Sequence, residues 1–339
     1  MLITRSVQAL EAYTPGEQPK AKNVVKLNTN ENPYPPSPRC AAVLKSFDPD
    51  RLRRYPDPVF SDLRRALADL NGTSPENIFV GNGSDEVLTV AARAFVEDDE
   101  AIGSLDPSYS LYKTLAAIRN VPWVGFEAPE AAAVSEAKVS LFLWTNPNAP
   151  TGVFASRRKI SAFAAKFPGV VVIDEAYADF AKENCMSLAA KRTNRNVMVM
   201  RTFSKSYSLA GLRVGYCVGP AELIDAMYKV KDSYNVDAVA QAVALAAVKD
   251  QKWMLRNVDK VVKTRTWFVA ELKKRGWNVL PSEANFVFAR PCEGKAADIF
   301  EALRRKNIVV RYFPSPKTAD RLRITIGTDA EMRTLLKNL

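Results

Sequence analysis

The stretch MRTFSKSYSLAGLRVGY, Met200 to Tyr216, follows directly on the apolar run Val197-Met198-Val199, so a buried strand ends where a single lysine, Lys205, stands among hydroxyls and small residues. Burial of an ammonium group lowers its pKa, which suits a Schiff-base amine better than a solubilising lysine. Ser204 offers a hydroxyl beside it, and Arg213, eight residues on, offers a planar cation to a phosphate. Lysine, phosphate donors and a strand end together suggest pyridoxal phosphate. The competing reading is an ordinary strand and loop with a surface lysine.

The same strand-end pattern recurs outward from this stretch. Ile78-Phe79-Val80, Ala101-Ile102-Gly103, Pro122-Trp123-Val124, Val139 to Trp144, Val170 to Ile173, Val197 to Met200 and Val214 to Cys217 are short apolar runs that alternate with helical patterns. Runs that are apolar throughout, without alternation, imply strands covered on both faces. The expected fold is therefore α/β, a mostly parallel sheet flanked by helices, with ligands at the C-terminal strand ends. Past Pro220 come long helical patterns and then short strands near Asn285, Ile308 and Leu322, which read as a smaller α+β domain. The expected division is an N-terminal arm, 1–49, which also forms part of the small domain, a large cofactor-binding domain, 50–240, and a C-terminal small domain, 241–339. The Pro- and Asn-rich segment Asn28 to Pro36 is expected to be extended and held by packing. Asp57 and Pro58 read as the start of a helix that Asn71-Gly72 ends, with Phe60, Leu63, Leu67 and Leu70 on one face.

Composition narrows the chemistry. The 339 residues contain no histidine, which excludes Ser-His-Asp and Cys-His catalysis and histidine-bound metals, and leaves Lys, Tyr, Asp, Glu or a cofactor for proton transfer. Cys40, Cys185, Cys217 and Cys292 form no C-x-x-C pair, and neither a signal peptide nor an apolar run long enough to span a membrane is evident. A cytoplasmic protein with reduced thiols is expected, with no membrane partner and no bound metal. The formal net charge of +11 permits a basic nucleic-acid- or phosphate-binding protein, but the cations are dispersed rather than gathered into a stripe. No nucleic-acid partner is expected.

Three further segments carry possible chemistry. Gly81-Asn82-Gly83-Ser84-Asp85-Glu86 follows a strand and opens a helix, so its N–H groups and the helix dipole can hold an anion; Glu86 at the sixth position departs from a dinucleotide fingerprint. Asp174, at the end of a buried strand, demands a cationic partner such as a pyridinium nitrogen, and Tyr177 can reach the ring 3-oxygen; magnesium held by Asp174 and Glu175 is the alternative. The loops Thr145 to Gly152 and Asp106 to Tyr112 also follow strands, and Tyr109 can stack on an aromatic ring.

With these residues placed, the chain resembles the fold-type I pyridoxal-phosphate aminotransferases, and most closely the histidinol-phosphate aminotransferases. The resemblance rests on Leu27 to Pro33, Arg54-Tyr55-Pro56, Gly81 to Glu86, Asn146 to Gly152, Asp174 to Tyr177, Arg201 to Tyr216 and Leu322 to Thr325, in that order along nearly the whole chain. It implies that Lys205 carries the cofactor, that Asp174 pairs with the pyridinium and that Tyr177 donates to the 3-oxygen. It further implies that Gly83, Ser84, Asp85, Ser204 and Arg213 hold the phosphate, that Tyr109 stacks on the ring, and that Tyr55 completes the neighbour's site in a homodimer. Arg323 and Arg311 would bind the acidic end of the substrate, and Tyr13 and Asn30 would line its pocket. Many relatives place Asn before Pro-Thr-Gly where this chain has Ala149, so Asn148 is expected to take over that contact. The implied reaction moves an amino group from histidinol phosphate to 2-oxoglutarate. An aromatic amino acid aminotransferase and a threonine-phosphate decarboxylase are the neighbouring alternatives.

Overall fold

The structure, a computed structural model, describes residues 2, 3, 5–8, 10, 16–19, 23–190 and 194–339. Seven strands form the central sheet: β1 (Ile78–Gly81), β2 (Ala101–Leu105), β3 (Trp123–Phe126), β4 (Val139–Thr145), β5 (Val170–Asp174), β6 (Val197–Thr202) and β7 (Gly215–Val218). Their spatial order is β1-β7-β6-β5-β4-β2-β3. All neighbouring pairs are parallel except those of β7, which runs antiparallel to both β1 and β6. The reversal of β7 could not be read from its apolar residues, which are the same in either direction.

Side-chain alternation divides the core into two layers. On β4, Leu141 and Leu143 join the cluster that contains Val87, Leu88, Leu115 and Met227, whereas Phe142 and Trp144 join the cluster that contains Leu63, Ile160, Val243 and Phe268. Helices Ser84–Phe95, Leu111–Arg119 and Ala221–Val230 therefore cover one face; Ser61–Asn71, Arg157–Ala164, Ala238–Val248 and Gln251–Lys274 cover the other. Both faces are dry, which is why the strands are Val- and Ile-rich without polar alternation. Each fully buried Leu or Phe on them contributes about 1.5–3 kcal/mol.

A second sheet of four antiparallel strands is built by β8 (Asn278–Val279), β9 (Phe286–Arg290), β10 (Arg311–Tyr312) and β11 (Leu322–Thr325), ordered β10-β11-β9-β8. The N-terminal arm is bound to these C-terminal elements. Val25 and Lys26 pair in parallel with Ile308 and Val309, and the Thr325 N–H donates to the Leu27 carbonyl at 3.0 Å.

The helix assigned to start at Pro58 starts instead at Ser61. Phe60 is buried and takes a left-handed backbone, φ 54°, and the Asp57 carboxylate accepts from the N–H groups of Val59 and Ser61 to form a preceding turn. Burying the Phe60 ring outweighs continuing the helix. Gly72 ends the helix in a left-handed conformation as expected, but Leu70 lies on the surface and not on the buried face.

Candidate active site

Parallel register brings the ends of β4, β5 and β6 to one sheet edge, where Thr145 is opposite Asp174 and Asp174 opposite Met200. Because β7 is reversed, it starts at that edge, with Gly215 paired to both Gly81 and Thr202. The loop from β6 to β7 must therefore turn back over the edge, and it carries both Lys205 and Arg213. A bond from the Phe203 N–H to the Val214 carbonyl, 3.0 Å, closes its base.

A cavity of about 620 Å³ opens above this edge and is lined by residues that include Ser84, Asp85, Tyr109, Asp174, Tyr177, Ser204, Lys205, Arg213, Arg311, Arg323 and Asn30. A second cavity, about 610 Å³, lies by Arg290, Cys292, Tyr312 and Asp320 and holds none of the predicted site residues.

Lys205 keeps some contact with the cavity solvent, yet its amine is enclosed and donates to the Thr29 carbonyl at 3.0 Å. Burial, reinforced by the Arg323 guanidinium, lowers its pKa to about 8, against the opposing pull of Glu31 and Asp85. Its backbone is held as well. Asn32 Nδ2 donates to the carbonyls of Lys205 and Ser206, at 3.1 and 3.2 Å, and the Ser206 hydroxyl donates to Asp179. Asp179 and Glu175 both pair with the buried Arg201. Glu175 also accepts from the Cys185 N–H, so its oxygens are engaged away from the cavity. That removes Glu175 from the magnesium reading.

Asp174, 4% exposed, accepts from the Tyr112 hydroxyl at 2.8 Å and from the Ala176 N–H at 3.1 Å. Both partners are neutral, and the charges acting on it most strongly, Asp85 and Glu175, are negative. Burial first, then those neighbours, raise its pKa to about 6 despite the two hydrogen bonds. Such a carboxylate is matched by a cation delivered into the cavity.

At the other end of the cavity floor, the turn before helix Ser84–Phe95 is capped by Glu86, whose carboxylate accepts from the Asn82 N–H. Gly83 has φ +82°, and a Cβ there would stand 2.7 Å from Arg213 Nη2. Only glycine lets the turn and the guanidinium close together. Arg213 reaches Ser204 Oγ at 3.4 Å and Asp85 at 3.5 Å, but Arg213 and Asp85 remain 48% and 46% exposed. The helix N-terminus, Ser84, Ser204 and Arg213 together make an anion cradle that is open on its outer side.

Above the floor stand Tyr109, packed edge-on against Tyr112 with centroids 5.7 Å apart, and Tyr177, whose ring lies 5.9 Å from Lys205 Nζ and whose hydroxyl oxygen receives Asn30 Nδ2 at 3.0 Å. Arg323 and Arg311 enter from the antiparallel sheet. Arg323 donates to the Asn28 carbonyl at 2.8 Å and lies over the rings of Phe286 and Phe313; Arg311 also lies over Phe313.

Asn148 requires correction. It does not line the cavity: its Nδ2 donates to the Pro107 carbonyl and Thr151 Oγ1, both at 3.0 Å, and its Oδ1 accepts from Ser108 at 2.9 Å. Two of these bonds tie its loop to the one bearing Pro107 and Ser108 and the third is within its own loop, so it has no amide N–H left for a ligand; Ala149 and Pro150 line the cavity in its place. Tyr55 lies outside the cavity, 79% exposed and stacked on Tyr234 at 4.3 Å. Tyr13 lies outside the described residues. The sequence reading missed Tyr112, Thr29, Glu31 and Thr325. Tyr112 was visible only as a loop aromatic, and the others acquire meaning through contacts more than 100 residues away.

The chain belongs to the class I and II aminotransferases, a family that matches residues 22–339. It is 42% identical to histidinol-phosphate aminotransferase 1 of Nostoc sp., over 98% of this chain and 96% of that one. It is 44% identical to the histidinol-phosphate aminotransferase of Geobacter sp., over 99% of this chain and 97% of that one. The crystal structure of histidinol-phosphate aminotransferase from Sinorhizobium meliloti in complex with pyridoxal-5'-phosphate superposes with a TM-score of 0.89 at 27% identity, over 99% of this chain and 96% of that one.

Proposed function

We propose that this chain is a pyridoxal-phosphate-dependent aminotransferase that converts histidinol phosphate and 2-oxoglutarate to imidazole acetol phosphate and glutamate, a step of histidine biosynthesis. The observation that carries this reading is one cavity in which a low-pKa lysine stands between a buried carboxylate with an anion cradle and two arginines. Relatives that share more than two-fifths of its residues, over nearly the full length, carry the histidinol-phosphate name.

The residues present fit the cofactor. Asp174 has only neutral partners and negative neighbours, the environment a protonated ring nitrogen complements, and the glycine turn closes against Arg213 where a phosphate would sit. Ser84, the backbone N–H of Asp85, Ser204 and Arg213 would hold that phosphate, Tyr109 would stack on the ring and Tyr177 would donate to the 3-oxygen. When bound, pyridoxal phosphate supplies an aldehyde for the amino group and an electron-withdrawing ring that stabilises charge developing at the substrate Cα.

The chain's own contribution is placement and proton transfer. Lys205 Nζ, neutral in a substantial fraction at mildly alkaline pH, takes the proton from the substrate Cα and returns one to that carbon in the opposite half-reaction. Arg323 and Arg311 bind the phosphate of the amino donor and the distal carboxylate of 2-oxoglutarate in turn, since both anions accept the same guanidinium donors. Asp174 would keep its charge by pairing with a protonated ring nitrogen.

The working unit in this reading is a cytoplasmic homodimer. Support comes from the exposed Tyr55 and from the open outer side of the cradle at Arg213, which a partner's Tyr55 would cover. Residues 50–240 would carry the cofactor, with 1–49 and 241–339 closing over the substrate. The described residues contain no helix long and apolar enough to cross a membrane.

A half-reaction screen tests the substrate. The loaded protein is mixed separately with histidinol phosphate, phenylalanine and phosphothreonine while its visible absorbance is followed. Histidinol phosphate is expected to react fastest; preference for phenylalanine or decarboxylation of phosphothreonine would overturn the assignment.

A further inference from the structure

Asn30 belongs to a short buried chain of hydrogen bonds whose direction follows from its first two links. The Asn30 backbone N–H donates to Thr325 Oγ1 at 3.0 Å, Thr325 Oγ1 lies 2.9 Å from Asn30 Oδ1, and Asn30 Nδ2 lies 3.0 Å from Tyr177 Oη. A backbone N–H can only donate, so Thr325 accepts there, and among the described residues the acceptor that its own proton meets is Asn30 Oδ1. The amide nitrogen of Asn30 is thereby turned toward Tyr177, whose oxygen accepts in this contact. The Tyr177 proton must then point elsewhere. Rotating the Asn30 amide would make Thr325 Oγ1 accept a second N–H and leave its own proton without its acceptor; with both residues no more than 2% exposed, water cannot make good the loss.

The segment bearing Asn30 is itself braced, since Asn285 Nδ2 donates to the Asn30 carbonyl at 2.9 Å and the residue holds a left-handed φ of 57°. Ala149, on the same cavity, has no side-chain donor. Among the described residues, the charged groups that share the cavity with Tyr177 include Lys205 on the neighbouring loop, Asp174 at the end of β5, Glu31, Asp85, Arg213, and Arg323 beyond the Phe286 ring that packs edge-on against Tyr177 at 5.0 Å.

We infer that Asn30 and Thr325 form a positioning relay that fixes the direction of the Tyr177 hydroxyl proton, making Tyr177 a donor toward the bound cofactor. The inference rests on the reading of Tyr177 as the donor to the ring 3-oxygen. It gives Asn30 a role through Tyr177 in place of the substrate contact expected from the resemblance, and it connects that tyrosine to β11, the strand that also carries Arg323 two positions away on the same face.

The readout is the spectral pKa of the pyridoxal-phosphate-loaded protein, measured from its visible absorbance against pH. A hydrogen bond donated to the 3-oxygen favours the form in which that oxygen is most negative and so holds this pKa down. Tyr177→Phe is expected to raise it by about one unit or more. Asn30→Asp replaces the donating N–H group with an oxygen that draws the Tyr177 proton to itself, and Asp tolerates the left-handed backbone. Thr325→Val removes the first link without touching Asn30. Both substitutions are expected to raise the spectral pKa, Thr325→Ser to leave it at the wild-type value, and neither Asn30→Asp nor Thr325→Val to shift it further in the Tyr177→Phe background. A wild-type pKa in Thr325→Val beside a raised one in Tyr177→Phe would overturn the relay. So would an Asn30→Asp shift of undiminished size in the Phe background, which would mark simple repulsion by the new carboxylate. An unchanged pKa in Tyr177→Phe itself would overturn the underlying role of Tyr177, and the relay with it.

Discussion

The Lys205 amine donates to the Thr29 carbonyl at 3.0 Å, joining the loop after β6 to a segment 176 residues earlier in the chain. This contact, with the surrounding walls, encloses the amine, and the enclosure is what lowers its pKa to about 8.

Lys205→Met is expected to abolish turnover and the visible absorbance of the loaded protein. In the cofactor-free protein the same change should increase stability at pH 7 by about 1–2 kcal/mol, because the folded state disfavours the charged amine. The folded pKa is lower than the unfolded value, so the penalty on the wild type is full below about 8 and fades as pH rises toward 10.5. Urea unfolding of both proteins at pH 7 and pH 10 checks the sign; a gain that grows with pH would contradict it.

Asp174→Asn separates the needs of the fold from those of the cofactor. The Asp174 pKa is raised from 3.8 to about 6, so burial of its charge costs little near the lower value and the cost is fully present above the higher one. Without cofactor, the variant should gain about 1–3 kcal/mol over the wild type at pH 7.5, and less at pH 5. With cofactor the order reverses, because the ring nitrogen loses its anionic partner. Calorimetry on the apo and loaded forms measures both arms, and a variant less stable than wild type in the apo form at pH 7.5 would contradict the cost assigned to Asp174.

Arg323→Gln should lower kcat/KM for histidinol phosphate and for 2-oxoglutarate together, each by about 30- to 150-fold, the loss of a charge-assisted bond of about 2–3 kcal/mol. Arg323→Lys should rescue poorly, since a lysine cannot reproduce the planar fork lying over Phe286 and Phe313. Steady-state kinetics with each substrate varied in turn decides; loss confined to one substrate would show that the two anions use different cations.

Tyr55 tests the dimer. The loaded protein should sediment as two chains, and Tyr55→Ala should weaken cofactor retention in dialysis without unfolding the chain, as the side chain is on the surface. Mixing inactive Lys205→Met with Tyr55→Ala under conditions that exchange subunits should restore activity, because one mixed site then carries both an intact lysine and an intact partner tyrosine. No recovery despite proven exchange would place Tyr55 outside the site.

The sequence by itself determined the layered α/β fold, because continuous Val-, Ile- and Leu-rich runs can be stable only when both sheet faces are covered, and it singled out Lys205, Asp174 and the Gly83 turn as candidates because these residue types stand out where such runs end. Local pattern carries that much since it reports solvent exclusion and backbone preference. Tertiary structure alone decided the reversed direction of β7, which brings Arg213 back to the strand ends, and the fate of Asn148, whose amide is engaged by the neighbouring loop rather than the cavity. It also decided that Glu175 faces Arg201, that Thr29 meets Lys205, and that Asn30 meets Tyr177 and Thr325. Each of these is a directed hydrogen bond or ion pair between side chains and backbone brought together by the packing of distant segments, and periodicity along the chain holds no record of which donor will face which acceptor.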